Sequence, residues 1–204
     1  MLVETPLLSL LDAFASPDPT PGGGSAAAIG SSLGVSLLMM VAGLPKTRSN
    51  SDDERTALQS ARAALETLWR DLTAAVDEDT TAYNAVVAAY RLPKATEQEQ
   101  AARKQAIQAA MRHATEVPLR VMRLSAAALT QAAVVAAHGH RAASSDAGVG
   151  VALIRAGFEG ARLNVATNIG SVTDAGYANQ VRGEAETLAQ NAQRAADSAV
   201  TTLS

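Results

Sequence analysis

The chain has no cysteine, only three histidines, and one Trp, three Tyr and two Phe in 204 residues. The absence of cysteine excludes disulfides, and with so few histidines most transition-metal sites are out of reach, so no metal and no bound cofactor is expected. Sheets are built from β-branched and aromatic side chains. Here aromatics supply 3% of residues, and alanine makes up much of the 48% that is hydrophobic, a composition suited to closely packed helices. Charge is modest: the net value is −3 and the pI about 5.6, so no nucleic-acid surface is expected. The opening Met1-Leu2-Val3-Glu4-Thr5-Pro6 lacks a basic stretch ahead of an apolar run, so no secretory leader is expected and the location is taken as cytoplasmic.

What is present begins with a long uncharged run, residues 19–45. Its length would suit a membrane span. Against that stand Ser25, Ser31, Ser32 and Ser36, a glycine-rich start and a mean hydropathy of +0.05 for the chain. A buried central helix of a soluble bundle or dimer fits better, and no membrane association is expected. Gly30 and Gly34, four apart, are spaced for close contact with another helix.

That run opens with Ser16-Pro17-Asp18-Pro19-Thr20-Pro21-Gly22-Gly23-Gly24-Ser25. Alternate prolines hold the backbone extended, and three glycines permit angles and approaches that a Cβ forbids. Alanine-rich helix follows at once, placing the glycine amides and Ser25 at a helix N-terminus, where unpaired N–H groups suit a carbonyl or an anion. A stiff linker before a helix start is the plainer reading of the same residues.

Apolar spacing predicts helix throughout. A short amphipathic helix covers Pro6 to Ala15, with Leu7, Leu8, Leu11 and Phe14 on one stripe; the apolar helix runs over 24–43. Ser51 or Asp52 caps a long helix to about Tyr90, and Thr96 caps the next, which runs towards Ala137 with a kink or restart at Pro118. Further helices span 146–170 and about Asp174 to Thr201. The expected fold is a single all-α domain over 1–204, a bundle of long antiparallel helices around the apolar one, and dimerising.

Several polar residues do not fit a plain bundle. Asn164 and Asn168 share a helical face, and asparagine is a poor mid-helix residue. Asp79 and Tyr83 are also four apart. Asp146 follows Ser144 and Ser145 at a helix start, where a capping role is ordinary, and Lys46 follows Pro45 just past the apolar helix. His113, His138 and His140 have no partner at metal spacing.

In combination these pieces carry a resemblance. They are Pro19-Thr20-Pro21-Gly22-Gly23-Gly24-Ser25; Asp79-Thr80-Thr81-Ala82-Tyr83-Asn84 through Ala89-Tyr90-Arg91-Leu92-Pro93-Lys94; Glu116-Val117-Pro118-Leu119; Ser145-Asp146-Ala147-Gly148-Val149; and Asn164-Val165-Ala166-Thr167-Asn168 followed by Asp174. In this order, across nearly the full length, they resemble the cyclodeaminase/cyclohydrolase family of tetrahydrofolate enzymes. The departure is Gly43-Leu44-Pro45-Lys46-Thr47-Arg48, where the family usually has a threonine and more lysines. The resemblance implies an all-helical homodimer with a folate pocket in a groove near the subunit interface.

The implied chemistry is attack of water on the cationic amidinium carbon of methenyltetrahydrofolate, then collapse with protonation of the leaving ring nitrogen. One acid/base group with a pKa shifted by burial serves both steps. Asp146 and Asp79 are the first candidates, with Lys46 as a proton donor. Pro21, Gly22, Gly23, Gly24, Ser25, Tyr83, Ser145, Asn164 and Asn168 are expected to bind substrate, the asparagines at the pterin edge or on a water. No formiminotransferase segment is expected beside the domain, an expectation that favours the cyclohydrolase over the related cyclodeaminase reaction that releases ammonia. A non-enzymatic dimerisation module is the third reading; it would leave Asn164 and Asn168 facing solvent.

Overall fold

The computed structural model describes residues 1–203. Among them six α-helices account for nearly all regular structure: α1 (Leu7–Ala15), α2 (Gly23–Ala42), α3 (Asp52–Tyr90), α4 (Glu97–His138), α5 (Ser144–Ile169) and α6 (Ala175–Leu203). The local signals act where the sequence places them. Ser51 Oγ accepts the Glu54 N–H at 3.2 Å to start α3, and Thr96 and Glu99 form a reciprocal capping box at the start of α4.

Pro118 is a difference. It lies buried inside α4, which runs through it as one helix of 42 residues rather than restarting. The neighbours of α4 supply the restraint that the local sequence lacks. Arg120, two residues on, grips both oxygens of Glu78 on α3 at 3.0 and 2.8 Å and reaches Asp71 at 3.2 Å. Arg123 holds Glu184 of α6 and Glu116 of its own helix.

Contacts fix the helix directions. Ser25 meets Asp79 and Gly43 meets Arg62, so α2 and α3 are antiparallel; Gly30 against Gly157 and Gly34 against Gly150 make α2 and α5 antiparallel. By contrast α4 and α6 run the same way, because Arg112 meets Asp174 while Arg123 meets Glu184. The long α5 between them returns the chain to the end from which α4 began.

The small-residue spacing on α2 is used inside the chain. A Cβ on Gly34 would lie 2.5 Å from the Gly150 carbonyl, and one on Gly157 would lie 2.2 Å from Ser31 Oγ. Ser31 Oγ in turn bonds Ser125 Oγ of α4 at 2.8 Å in the core, while the Ser32 and Ser36 hydroxyls donate to the Ala28 and Ser32 carbonyls of their own helix. The apolar helix is nevertheless buried on one side only. Leu33 and Met40 on α2, with Val149 and Leu163 on α5, form a common exposed apolar face, and every residue of α1 stays unburied. Two helices, α2 and α4, are long and apolar enough to cross a membrane, and each sets about half of its apolar window (50% and 56%) into the fold.

Candidate active site

The N-terminus of α2 has no cap of its own. Its N-cap residue is Gly22, and the cap comes from α3: Asp79 Oδ2 accepts the Ser25 N–H at 2.9 Å. A carboxylate is favoured at this end of a helix. Ser25 Oγ, fully buried, lies 3.0 Å from the same oxygen and 2.9 Å from the Val76 carbonyl. The other oxygen, Oδ1, carries no hydrogen bond among the described residues. It stands where a side chain of Gly24 would be, 2.0 Å from the Cβ that glycine lacks.

Around this carboxylate is a cleft of about 330 Å³. The loop Pro19–Gly24 forms one wall. Asp79, Ala82, Tyr83 and Val86, at helical spacing on one face of α3, form the second. Met111 and Ala114 of α4 close the back, and Asn164 and Asn168 of α5 close the last side. Three acids stand in succession on α3, and helical spacing sends only one here. Asp77 accepts the Leu2 N–H at 2.6 Å and Glu78 is taken by Arg120. Burial pushes the Asp79 carboxyl up from its ordinary value, against the two Ser25 hydrogen bonds that pull it down.

Each asparagine is held by its amide nitrogen. Asn164 Nδ2 donates to the Gly160 carbonyl at 2.8 Å, one turn back, and Asn168 Nδ2 donates to the Ala114 carbonyl of α4 at 2.7 Å. Because a carbonyl can only accept, both amides are oriented, and both Oδ1 atoms remain to accept from a guest or a water. The solvent-facing asparagines of the dimerisation-module reading are therefore not what the structure has; both are half-buried and line the cleft.

Of the residues expected to converge, Gly22, Gly23, Gly24, Asp79, Tyr83, Asn164 and Asn168 line this cleft. Pro21 shapes the loop, following a cis Thr20–Pro21 peptide bond, without lining the cleft. Ser25 lies beneath the carboxylate, bonded to it, so it is not a wall residue as expected. Lys46, Ser145 and Asp146 are elsewhere. Eighteen residues of α5 separate Asp146 from Asn164, about 27 Å at helical rise, and Lys46 follows the far end of α2. Within one chain these three do not meet the cleft. The sequence had no means to show this, since the α2–α5 register that sets the two ends apart is a tertiary property. Thr20, Ala82, Val86, Met111 and Ala114 are lining residues not foreseen; those on α3 could have been found by stepping from Asp79 at three and four residues.

Three larger grooves, of about 540 Å³ beside Trp69 and His113, about 480 Å³ between α5 and α6, and about 370 Å³ beside Lys94 and Arg103, hold none of the residues expected to act on or bind substrate.

Comparison with known proteins follows the same outline. The family profile described as formiminotransferase-cyclodeaminase matches residues 6–187. The chain is 39% identical over 180 residues to the methenyltetrahydrofolate cyclohydrolase of Methylorubrum extorquens, covering 88% of this chain and 86% of that protein. It is 31% identical over 173 residues to the formimidoyltransferase-cyclodeaminase of Gallus gallus, covering 85% of this chain but 32% of that longer protein. The fold matches the crystal structure of formiminotetrahydrofolate cyclodeaminase from Thermotoga maritima with a TM-score of 0.88 at 22% identity, over 100% of this chain and 98% of that one.

Proposed function

The chain belongs to the formiminotransferase-cyclodeaminase family, and from that membership we propose that it is a methenyltetrahydrofolate cyclohydrolase, hydrolysing 5,10-methenyltetrahydrofolate to 10-formyltetrahydrofolate. The observation that carries the reading is the 39% identity, over most of both chains, to a protein of that name.

The cleft supports the chemistry. The substrate carbon to be attacked lies between two ring nitrogens and shares a positive charge, so an ionised Asp79 favours it electrostatically. Asp79 Oδ1 takes a proton from the water as its oxygen bonds to that carbon. The tetrahedral adduct then breaks one carbon–nitrogen bond: the same oxygen returns its proton to the departing ring nitrogen, the adduct's hydroxyl becomes the formyl carbonyl, and the hydroxyl proton leaves to solvent. A carboxyl lifted from its ordinary range by burial is better suited to both halves than a fully solvated one. Asn164 and Asn168 offer Oδ1 acceptors to the N–H edge of a pterin or to the attacking water. The N–H groups of Gly23 and Gly24 in the first turn of α2 suit a substrate oxygen, and Tyr83 flanks the ring.

The reading includes a cytoplasmic homodimer acting on a small folate, with no metal, no further cofactor, no nucleic acid and no membrane. The unpartnered apolar surface of α2 and α5, together with the exposed leucines of α1, supports the dimer. At helical spacing Asp146 lies within a turn of Val149, at the border of the exposed face of α5. A two-fold packing that crosses these faces antiparallel sets the Asp146 end of one copy beside the cleft of the other. Asp146, Ser145 and Lys46 enter the site on these terms alone.

The second reading is the cyclodeaminase reaction, favoured by the longer formimidoyltransferase-cyclodeaminase relatives. A paired assay separates the two. Loss of methenyltetrahydrofolate absorbance above the spontaneous rate, without ammonia from formiminotetrahydrofolate, is expected. Ammonia release with build-up of the methenyl compound would replace the proposal with the cyclodeaminase.

A further inference from the structure

Ser25 is fully buried beneath Asp79 and makes two contacts with a single carboxylate oxygen. Its N–H donates to Oδ2 at 2.9 Å, and its Oγ lies 3.0 Å from that atom. The hydroxyl has one proton and two other neighbours: the Val76 carbonyl at 2.9 Å, which can only accept, and Thr80 Oγ1 at 3.4 Å. With Asp79 ionised, the Ser25 proton is best placed on Oδ2, the nearest charged acceptor. Oδ2 then receives two hydrogen bonds from one residue, and Oδ1 receives none from the chain.

Resting on the reading of Asp79 as the acid/base group, we propose that Ser25 is a positioning residue that gives the two oxygens of Asp79 different work, keeping Oδ2 as a fixed acceptor so that the exchanged proton sits on Oδ1. Its effect is on orientation as well as on affinity for the proton. A carboxyl protonated on Oδ2 would direct its O–H at Ser25 Oγ, away from the cleft, and the Ser25 proton would turn to Val76. Donation by both Ser25 groups disfavours that arrangement. Gly24 completes the device by leaving Oδ1 unobstructed. Other groups facing the carboxyl are few: Thr80 and Tyr83 from α3, Met111 and Ala114 from α4, Asn164 and Asn168 from α5, and the N–H groups of α2. Tyr83 is the other titratable residue in the cleft lining, and Glu78 is turned to Arg120.

The test is Ser25→Ala, read as kcat against pH and as the carbon-13 titration of the Asp79 carboxyl without substrate. Loss of a hydrogen bond to the ionised form raises the titration midpoint, by about one pH unit for a bond to a charged group. The acid limb of the kcat profile is expected to move up by the same interval, while KM changes less than kcat. A residue that only fills space would lower kcat at every pH and leave both midpoints in place; that outcome overturns the proposal. Ser25→Cys, close in volume and a poor donor, is expected to shift the midpoints in the same direction and serves if the alanine variant fails to fold. Turnover of neither folate would remove the enzymatic reading, with the carboxyl titration still deciding whether Ser25 holds Asp79. Unmoved midpoints in an active enzyme would sink the Ser25 role alone.

Discussion

A methyl group on Gly24 would stand 2.0 Å from Asp79 Oδ1 and 2.5 Å from its carboxyl carbon, so helix backbone and carboxylate occupy space that any other residue would deny them. The neighbouring glycine differs: a Cβ on Gly23 meets Asn164 Nδ2 at 3.5 Å, an ordinary contact.

Gly24→Ala is therefore expected to push Asp79 from its place. Displacing a reacting group by an ångström lowers turnover by on the order of a hundredfold, and the crowding destabilises the fold by about 1–3 kcal/mol. Gly23→Ala should alter kcat/KM by less than tenfold, by the ordinary-contact argument. Steady-state kinetics and thermal melts of the pair check both, and equal effects at the two positions would contradict the geometry.

Asp79→Asn keeps the shape and removes the proton exchange, so kcat should fall by roughly 10²–10⁴. If the cleft is completed by Asp146 of a partner copy, Asp146→Asn is inactive as well, yet mixing and refolding the two variants restores sites. In a random mixture half the dimers are mixed, and each has one site with both aspartates, giving about a quarter of wild-type activity. A mixture as inactive as its components places Asp146 outside the mechanism.

Leu33 is 52% exposed in the middle of the shared α2–α5 face. If the proposed homodimer forms through this face, wild type scatters as a dimer and Leu33→Glu should melt as before but scatter as a monomer, because an unpaired carboxylate resists burial in an apolar interface. A dimer that persists would locate the contact on another surface.

Glu54 gathers the loop between α2 and α3, accepting from the Thr47 hydroxyl and from the Ser49 N–H at 2.8 Å. These bonds hold its pKa down from 4.5 to about 2. Because the folded value is the lower one, the stabilisation is fully present above pH 4.5 and is lost as pH falls towards about 2. Glu54→Gln should thus melt below wild type at pH 7, with the difference shrinking between pH 4.5 and 2. A constant difference across that interval would assign the effect to shape.

The helices were legible because their signals are local. Ser51 and the Thr96/Glu99 box start α3 and α4 where such residues must, and residues 91–96, with Pro93, separate the two. Of the kink or restart expected at Pro118, the restart does not occur: its local tendency to end a helix is outweighed by packing that no window of sequence contains. The glycine loop was found for one right reason and one wrong one. No glycine in the described chain has a positive φ, so conformational licence is not used, and close approach by Asp79 is what the last of the three, Gly24, serves. Ser25, Asn164 and Asn168 were identifiable as out of place by residue type. That Ser25 points inward while the asparagines face the cleft depends on how α2, α3 and α5 turn about their axes. Asp146 matched a pattern by order along the chain and Lys46 stands in the segment that departs from it; neither order nor departure says which end of a bundle each occupies.

The cap on α2 comes from a residue 54 positions away, and it is the same carboxylate that faces the cleft. On the proposed mechanism, an aspartate at this position answers to two selections, one for the start of a helix and one for turnover. A relative that had abandoned the reaction would still be held to the aspartate by the helix, and to the glycine beside it by the aspartate. Retention of this pair across a lineage therefore records a shared architecture, whereas the asparagine oxygens left free in the cleft are the better markers of retained catalysis.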